Sequence, residues 1–156
     1  MNTGTEGTVI AFVSSAGGVL PDVLTVADCW PGSCQQLWVA PPSVDTRATL
    51  HGRDVLWVDE PSEHPRSMLA ATRAARTALR EHRVDWVVSA GTAIAVPYFV
   101  AAKALGIPSV WVETLNIHGG HGRVAELCSR LATRTLVQSP DRLVAHRRAI
   151  LVGELQ

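Results

Sequence analysis

The sequence predicts an α/β domain, a doubly wound and mostly parallel Rossmann-like sheet with helices on both faces. Three observations predict it. Strand-like and helix-like segments alternate along the whole chain. The strand-like runs are almost continuously apolar, which suits strands buried on both faces rather than one. No repeat, low-complexity stretch or composition shift divides the 156 residues, so 1–156 reads as a single domain. The right-handed crossover rule then selects the doubly wound arrangement.

Each element has its own signal. Thr8 to Val13 is β-rich and ends at Ser14-Ser15-Ala16-Gly17-Gly18, and Val19 to Ala27 reads as a helix. Leu37 to Ala40 is a second strand stopped by Pro41-Pro42, and Asp54 to Val58 a third stopped before Pro61. From Pro65 to His82 the composition turns helical, with proline suited to the first turn. Met68, Leu69, Ala75 and Leu79 recur at helical spacing there, while Arg73, Arg76, Arg80 and Arg83 line another face. Val84 to Ser89 is a strand, and Val96 to Leu105 a helix ending at Gly106, a residue suited to a left-handed cap. Ile107 to Val112 is the next strand, followed by polar Asn116 to Gly122 and a helix from Arg123 to Ala132. Thr135 to Val137, a short helix from Pro140 to His146, and a strand from Ala149 to Val152 complete the pattern.

Composition limits the function. The chain is 47% hydrophobic, enough for one substantial core, and its 18% charged fraction is too low for disorder. Net charge is zero, against the basic excess of a nucleic-acid binder. Cys29, Cys34 and Cys128 form neither a disulfide framework nor a CxxC zinc pair, so they read as thiols of a reducing cytoplasm and no metal site is expected. Met1 to Gly7 lacks the pattern of a signal peptide. The longest apolar run, Ala93 to Leu105, contains Lys103 and falls short of the roughly 20 residues that span ~30 Å of hydrocarbon.

In a doubly wound sheet, ligands collect at the carboxyl ends of the strands. Three loops there carry candidate residues. Ser14, Gly17 and Gly18 precede a helix start, where small residues allow close backbone approach and leave N–H groups free for a sugar or diphosphate. The loop is neither a GxGxxG fingerprint nor a P-loop, and a plain tight turn explains it equally well. Gly91 and Thr92 open a second helix start with the same two readings. Glu113 is a lone carboxylate ending an apolar strand, placed to accept hydrogen bonds from sugar hydroxyls, to act as a base, or to hold a nearby N–H. Asn116, His118 and His121 follow in a glycine-rich loop; His118 is the second candidate base, and the His-x-x-His spacing without a third ligand is weak evidence for a metal. The arginine face of the Pro65–His82 helix, with Arg142, Arg147 and Arg148, reads either as solvated surface or as contact for anionic lipid headgroups.

The second half resembles a known family. Val87-Val88-Ser89-Ala90-Gly91-Thr92, Pro97, Ala104-Leu105-Gly106-Ile107-Pro108 and Val110-Trp111-Val112-Glu113-Thr114 follow its order. Leu131 to Pro140 and Leu151-Val152-Gly153 continue it. The stretch is similar to the acceptor-side, membrane-recruiting subunit of the two-subunit N-acetylglucosaminyltransferase of lipid-linked oligosaccharide synthesis, and to bacterial exopolysaccharide counterparts. More distantly it resembles the N-terminal domain of the peptidoglycan lipid-intermediate glycosyltransferase.

The resemblance implies the N-terminal half of a GT-B glycosyltransferase. Gly17-Gly18 and Gly91-Thr92 would face the acceptor, which is a sugar, a lipid-linked sugar or a soluble small molecule. Glu113 falls on the family's strand-end glutamate. A separate donor-binding subunit would hold the nucleotide sugar, so no cofactor of the chain's own is expected. The family often has histidine after the paired glycines where Val19 stands, and serine with a nearby arginine where Thr114-Leu115-Asn116-Ile117 stand. The eukaryotic subunit's membrane anchor has no counterpart in Met1 to Gly7. A non-catalytic scaffold for a complete glycosyltransferase is the alternative reading, and an independent nucleotide-binding domain a third.

Overall fold

A computed structural model describes residues 7–113, 122–138, 140 and 149–151. Seven strands form one all-parallel sheet: β1 (Val9–Val13), β2 (Gln35–Ala40), β3 (Asp54–Trp57), β4 (Trp86–Ser89), β5 (Ser109–Glu113), β6 (Arg134–Val137) and β7 (Ala149–Leu151). Their spatial order is β3-β2-β1-β4-β5-β6-β7. The helices are α1 (Val19–Asp28), α2 (Val44–Thr49), α3 (Pro65–Glu81), α4 (Ala95–Leu105) and α5 (Arg123–Leu131).

The strand order reverses between β1 and β4, and that reversal places the site. Chain progression runs outward from β1 through β2 to β3, then returns to the other side of β1. The loops leaving β1 and β4 therefore diverge to opposite faces and leave a crevice between them. The β1–β4 pairing is held at its amino end too, where the Val9 N–H donates to Asp85 Oδ2 at 2.8 Å.

Strand periodicity sorts the core into two layers. Ile10, Phe12, Trp38, Ala40, Val88 and Val112 pack beneath α1, whereas Ala11, Val13, Leu37, Val39, Val87 and Trp111 pack beneath α3, α4 and α5. On the α1 side Phe12 stacks on Trp38 with centroids 5.2 Å apart. On the other side Phe99 of α4 meets Trp111 edge to face at 5.9 Å. Helix α4 is buried almost all round, since α3 and α5 flank it and the sheet lies below; Ala95, Ala101 and Ala102 let those neighbours close in.

Boundaries follow the sequence within a residue or two at most ends. Pro65 opens α3, and Gly106 caps α4 at φ 71°. Helix α2 was not expected. Its Ser43 N-cap accepts from the Thr46 N–H while the Ser43 N–H donates to Thr46 Oγ1. The apolar face of α3 also needs correction: Ala75 and Leu79 are buried and Met68 packs against the core, but Leu69 is 52% exposed. One residue past Met68, a side chain turns about 100° away from the buried stripe. Arg73, Arg76 and Arg80 are exposed, as the solvated-face and lipid-contact readings both require. The expected helix after Pro140, with Arg142, Arg147 and Arg148, lies outside the described residues. All three cysteines are free thiols, and among the described residues no group of His, Cys, Asp and Glu could hold a metal ion. No described helix is long and apolar enough to cross a membrane.

Candidate functional site

The rim of the crevice is built from three neighbouring strand ends. Val13 of β1 pairs in register with Ser89 of β4, and Ser89 with Trp111 of β5. Glu113 therefore extends two residues past the level of Ser89, roughly 6–7 Å along the strand direction. It is 4% exposed and pairs with Val137 of β6.

After β1 the chain turns sharply. The Ser14 N–H still donates to the Val39 carbonyl at 3.0 Å, and the Ser14 hydroxyl donates to the Ser15 carbonyl at 3.0 Å. Gly17 then adopts φ 86° with open space around its would-be Cβ, so backbone conformation and not crowding requires glycine. Gly18 is the N-cap of α1 and supplies no side chain, so helix-start N–H groups lack side-chain capping.

After β4 the turn is strained. Thr92 has φ 73°, a left-handed conformation that a β-branched residue rarely adopts and that costs on the order of 1–3 kcal/mol. Its carbonyl accepts from the Ala95 N–H at 3.1 Å, which starts the helical turn leading into α4. The Gly91 N–H points back to Ser89 Oγ at 3.4 Å. The β1 and β4 turns meet: a Cβ on Gly91 would stand 3.4 Å from both γ-methyls of Val19.

Four buried side-chain polar atoms among the described residues have no hydrogen-bond partner: Ser15 Oγ, Asp22 Oδ2, Thr92 Oγ1 and Trp111 Nε1. Buried polar atoms are normally paired, since leaving one unpaired costs ~1–3 kcal/mol. Ser15 follows β1, Asp22 lies in the first turn of α1, Thr92 follows β4, and Trp111 lies two residues from the end of β5. Ser15 and Thr92 thus lie in the two turns that border the crevice, whereas Asp22 is on α1 at one face of the sheet and Trp111 packs against Phe99 of α4 at the other. A ligand oxygen that accepts from hydroxyl donors, as sugar and phosphate oxygens do, would suit the two hydroxyls in the turns, Ser15 Oγ and Thr92 Oγ1.

The structure thus brings Ser14, Gly17, Gly18, Gly91, Thr92 and Glu113 to adjoining strand ends. Asn116, His118 and His121 lie outside the described residues. Ser15 and Asp22 were missed in the sequence: a serine in a tight turn and an acidic residue in a helix's first turn are common, and only burial without a partner sets them apart.

No protein-family model matches the chain. It is 30% identical over 142 residues to the UDP-N-acetylglucosamine–N-acetylmuramyl-(pentapeptide) pyrophosphoryl-undecaprenol N-acetylglucosamine transferase of Synechococcus sp. strain CC9902, covering 85% of this chain and 39% of that one. The corresponding transferase of strain CC9311 is 31% identical, over 83% of this chain and 38% of its own length. The chain spans about 40% of the length of the curated relatives it matches. Among solved structures, Acinetobacter baumannii MurG superposes with a TM-score of 0.73 at 22% identity, covering 94% of this chain and 44% of MurG. The UDP-GlcNAc 2-epimerase of Methanocaldococcus jannaschii superposes at 0.70 with 11% identity, again over 94% of this chain and 46% of its own. The chain is therefore a Rossmann-like domain with the fold of the N-terminal half of GT-B glycosyltransferases, homologous in sequence to the MurG-type N-acetylglucosamine transferases.

Proposed function

We propose that this domain is the acceptor-side half of a nucleotide-sugar-dependent glycosyltransferase, completed by a donor-binding subunit on a separate chain. The observation that supports the reading is the strand-order reversal at β1 and β4, which brings the Ser14–Gly18 turn, the Gly91–Thr92 turn and buried Glu113 to adjoining strand ends, with Ser15 Oγ and Thr92 Oγ1 buried and unpartnered in those turns. The relatives' names support a substrate class for this reading, UDP-N-acetylglucosamine as donor and a sugar on a lipid pyrophosphate as acceptor.

On this reading the two βα turns hold the acceptor. Their helix starts offer backbone N–H groups and positive dipole ends to oxyanions of the acceptor. Glu113, or His118 from the adjoining loop, removes the proton of the acceptor hydroxyl as its oxygen forms a bond to the anomeric carbon. The bond from that carbon to the nucleoside diphosphate breaks, and the diphosphate leaves into the donor-binding half, which stabilises its charge. Closure of two domains around both substrates excludes water and limits hydrolysis of the donor. The exposed Arg73, Arg76 and Arg80 of α3 would hold the assembly at an anionic lipid surface, near a lipid-linked acceptor.

One observation favours the alternative, a non-catalytic scaffold. Val19, an aliphatic residue, occupies the first turn of α1 against Gly91, and it offers no proton-transferring group there.

Reconstitution tests the proposal. The chain is mixed with a donor-binding glycosyltransferase subunit, and transfer from labelled UDP-N-acetylglucosamine to a lipid-linked N-acetylmuramyl acceptor is measured. Product from the pair and none from either alone is expected. Product from this chain alone would remove the separate-subunit arrangement, and no product from the pair would remove the transferase reading.

A further inference from the structure

Of the four unpaired buried atoms among the described residues, Asp22 Oδ2 is the one that belongs to an acid. Asp22 stands in the first turn of α1, three residues after Val19. Successive helical residues are ~100° apart, so a step of three leaves Asp22 ~60° around the axis from Val19 and about one turn along it. Val19 is the residue whose γ-methyls face the Gly91 turn across the crevice. Helical side chains lean toward the amino end of their helix, so Asp22 leans back toward the turn that Val19 occupies. The two residues share the flank of α1 that looks toward the end of β4.

The surroundings of the carboxyl leave it in need of a donor. The buried positions next to it on α1, Leu20, Val23 and Val26, are aliphatic. The Leu20 N–H already donates to the Gly17 carbonyl at 3.1 Å, and Pro21 has no N–H to give. Asp22 as a residue is half-buried, with Oδ2 turned inward. The last torsion of an aspartate is broad, so a modest rotation exchanges the inward and outward oxygens.

We propose that Asp22 is a specificity-determining residue for the acceptor, its carboxyl accepting a hydrogen bond from a hydroxyl or amide N–H of the acceptor sugar held between the two turns. The proposal rests on the acceptor-side reading above. An oxyanion at the tip of α1 and a neutral donor group one turn deeper are then recognised by different atoms of one helix. Asp22 binds and orients; proton removal stays with Glu113 or His118.

The test compares Asp22→Leu and Asp22→Asn with the native chain. Thermal unfolding of the isolated chain is followed with and without the lipid-linked N-acetylmuramyl acceptor, and acceptor kinetics are measured on the reconstituted enzyme. An unpaired buried oxygen costs more than the helix dipole returns for an acid in the first turn. Asp22→Leu should therefore raise the melting temperature of the free chain by about 2–4 °C. The acceptor should raise the melting temperature of the native chain and leave that of Asp22→Leu unmoved. In the reconstituted enzyme Asp22→Leu should raise the acceptor KM at least about tenfold with kcat within about twofold, the pattern of a lost ground-state contact. Asp22→Asn keeps the shape and one acceptor oxygen, and should raise KM roughly threefold. A purely structural Asp22 would lower the melting temperature in both variants, and that result overturns the proposal. A stabilised Asp22→Leu chain with an unmoved KM overturns it too. Should Asp22→Leu not fold, an unchanged KM in Asp22→Asn is decisive against it. Acceptor stabilisation of the native chain that is lost in Asp22→Leu, with no transfer by any pair, upholds the contact and counts against the transferase reading instead.

Discussion

Gly91 faces Val19 across the β1–β4 crevice, with 3.4 Å between the position of a glycine Cβ and each γ-methyl of the valine. The two turns are thus in van der Waals register, and one methyl group can be added but not a branched chain. Gly91→Ala is expected to keep the melting temperature within about 2–4 °C, the shift that ~1 kcal/mol produces in a chain of this size. Gly91→Leu must push the turns apart and is expected to cost ~1–3 kcal/mol. Thermal unfolding of the two variants checks the difference, and equal melting temperatures would mean the turns do not touch.

Thr92 stores strain beside an unpartnered hydroxyl. Thr92→Gly removes the left-handed penalty and should raise stability by ~1 kcal/mol or more, while lowering transfer by the reconstituted enzyme. A variant that is stabilised and equally active would mean the strain serves no binding role.

Glu113 is buried at the end of β5. As the base, its loss in Glu113→Gln should lower kcat by roughly 10²–10⁴-fold, with acceptor affinity nearly unchanged. If Glu113→Gln and His118→Ala each leave kcat intact while the complex still assembles, the scaffold reading replaces the catalytic one.

Cys128 and Tyr98 make the fold sensitive to alkali. Burial raises the Cys128 thiol from 9.0 to about 12, and the Tyr98 phenol from 10.0 to about 12. Both groups hold their protons more tightly when folded. Their stabilising contribution is complete below pH 9, and is lost as pH rises toward 12 while the unfolded chain ionises first. The melting temperature should fall steadily across that window. A Cys128→Ala variant, compared with the native chain at pH 8 and pH 11, should lose less stability over that interval. At pH 8 a thiol reagent should modify exposed Cys29 at once and buried Cys128 only on unfolding.

Arg73, Arg76 and Arg80 give α3 a basic outer face. If that face meets anionic lipid, flotation with phosphatidylserine vesicles should be salt-sensitive and should fall sharply in the triple alanine variant, at ~1 kcal/mol per arginine. Equal flotation of variant and native chain would leave the face as solvated surface.

The fold was legible because its central strands are apolar on both sides, as Val9 to Val13 and Trp86 to Val88 are, and because proline and glycine mark the ends of α3 and α4. Helix α2 was not, because its capping box uses threonine at the third position in place of glutamate or glutamine, and its six residues carry no apolar period. The candidate site was legible where residue type constrains geometry, as at Gly17, or where a charged residue ends an apolar strand, as at Glu113. Thr92 reads in the sequence as a small polar residue at a helix start, and its left-handed backbone contradicts its own propensity. Ser15 and Asp22 became visible only when their polar atoms proved buried and unpaired, a property of the assembled crevice and of no local pattern.

The strand order has a consequence for when the crevice can form. The two lips of the crevice come from segments that meet only after a span of 76 residues has been folded back, the separation bridged by Val9 and Asp85 at the far end of the same strand pair. Non-local pairings of this kind form late and slowly. A chain emerging from the ribosome therefore has no crevice until its fourth strand has docked, and on the proposed reading a truncation before Ser89 should not bind the acceptor.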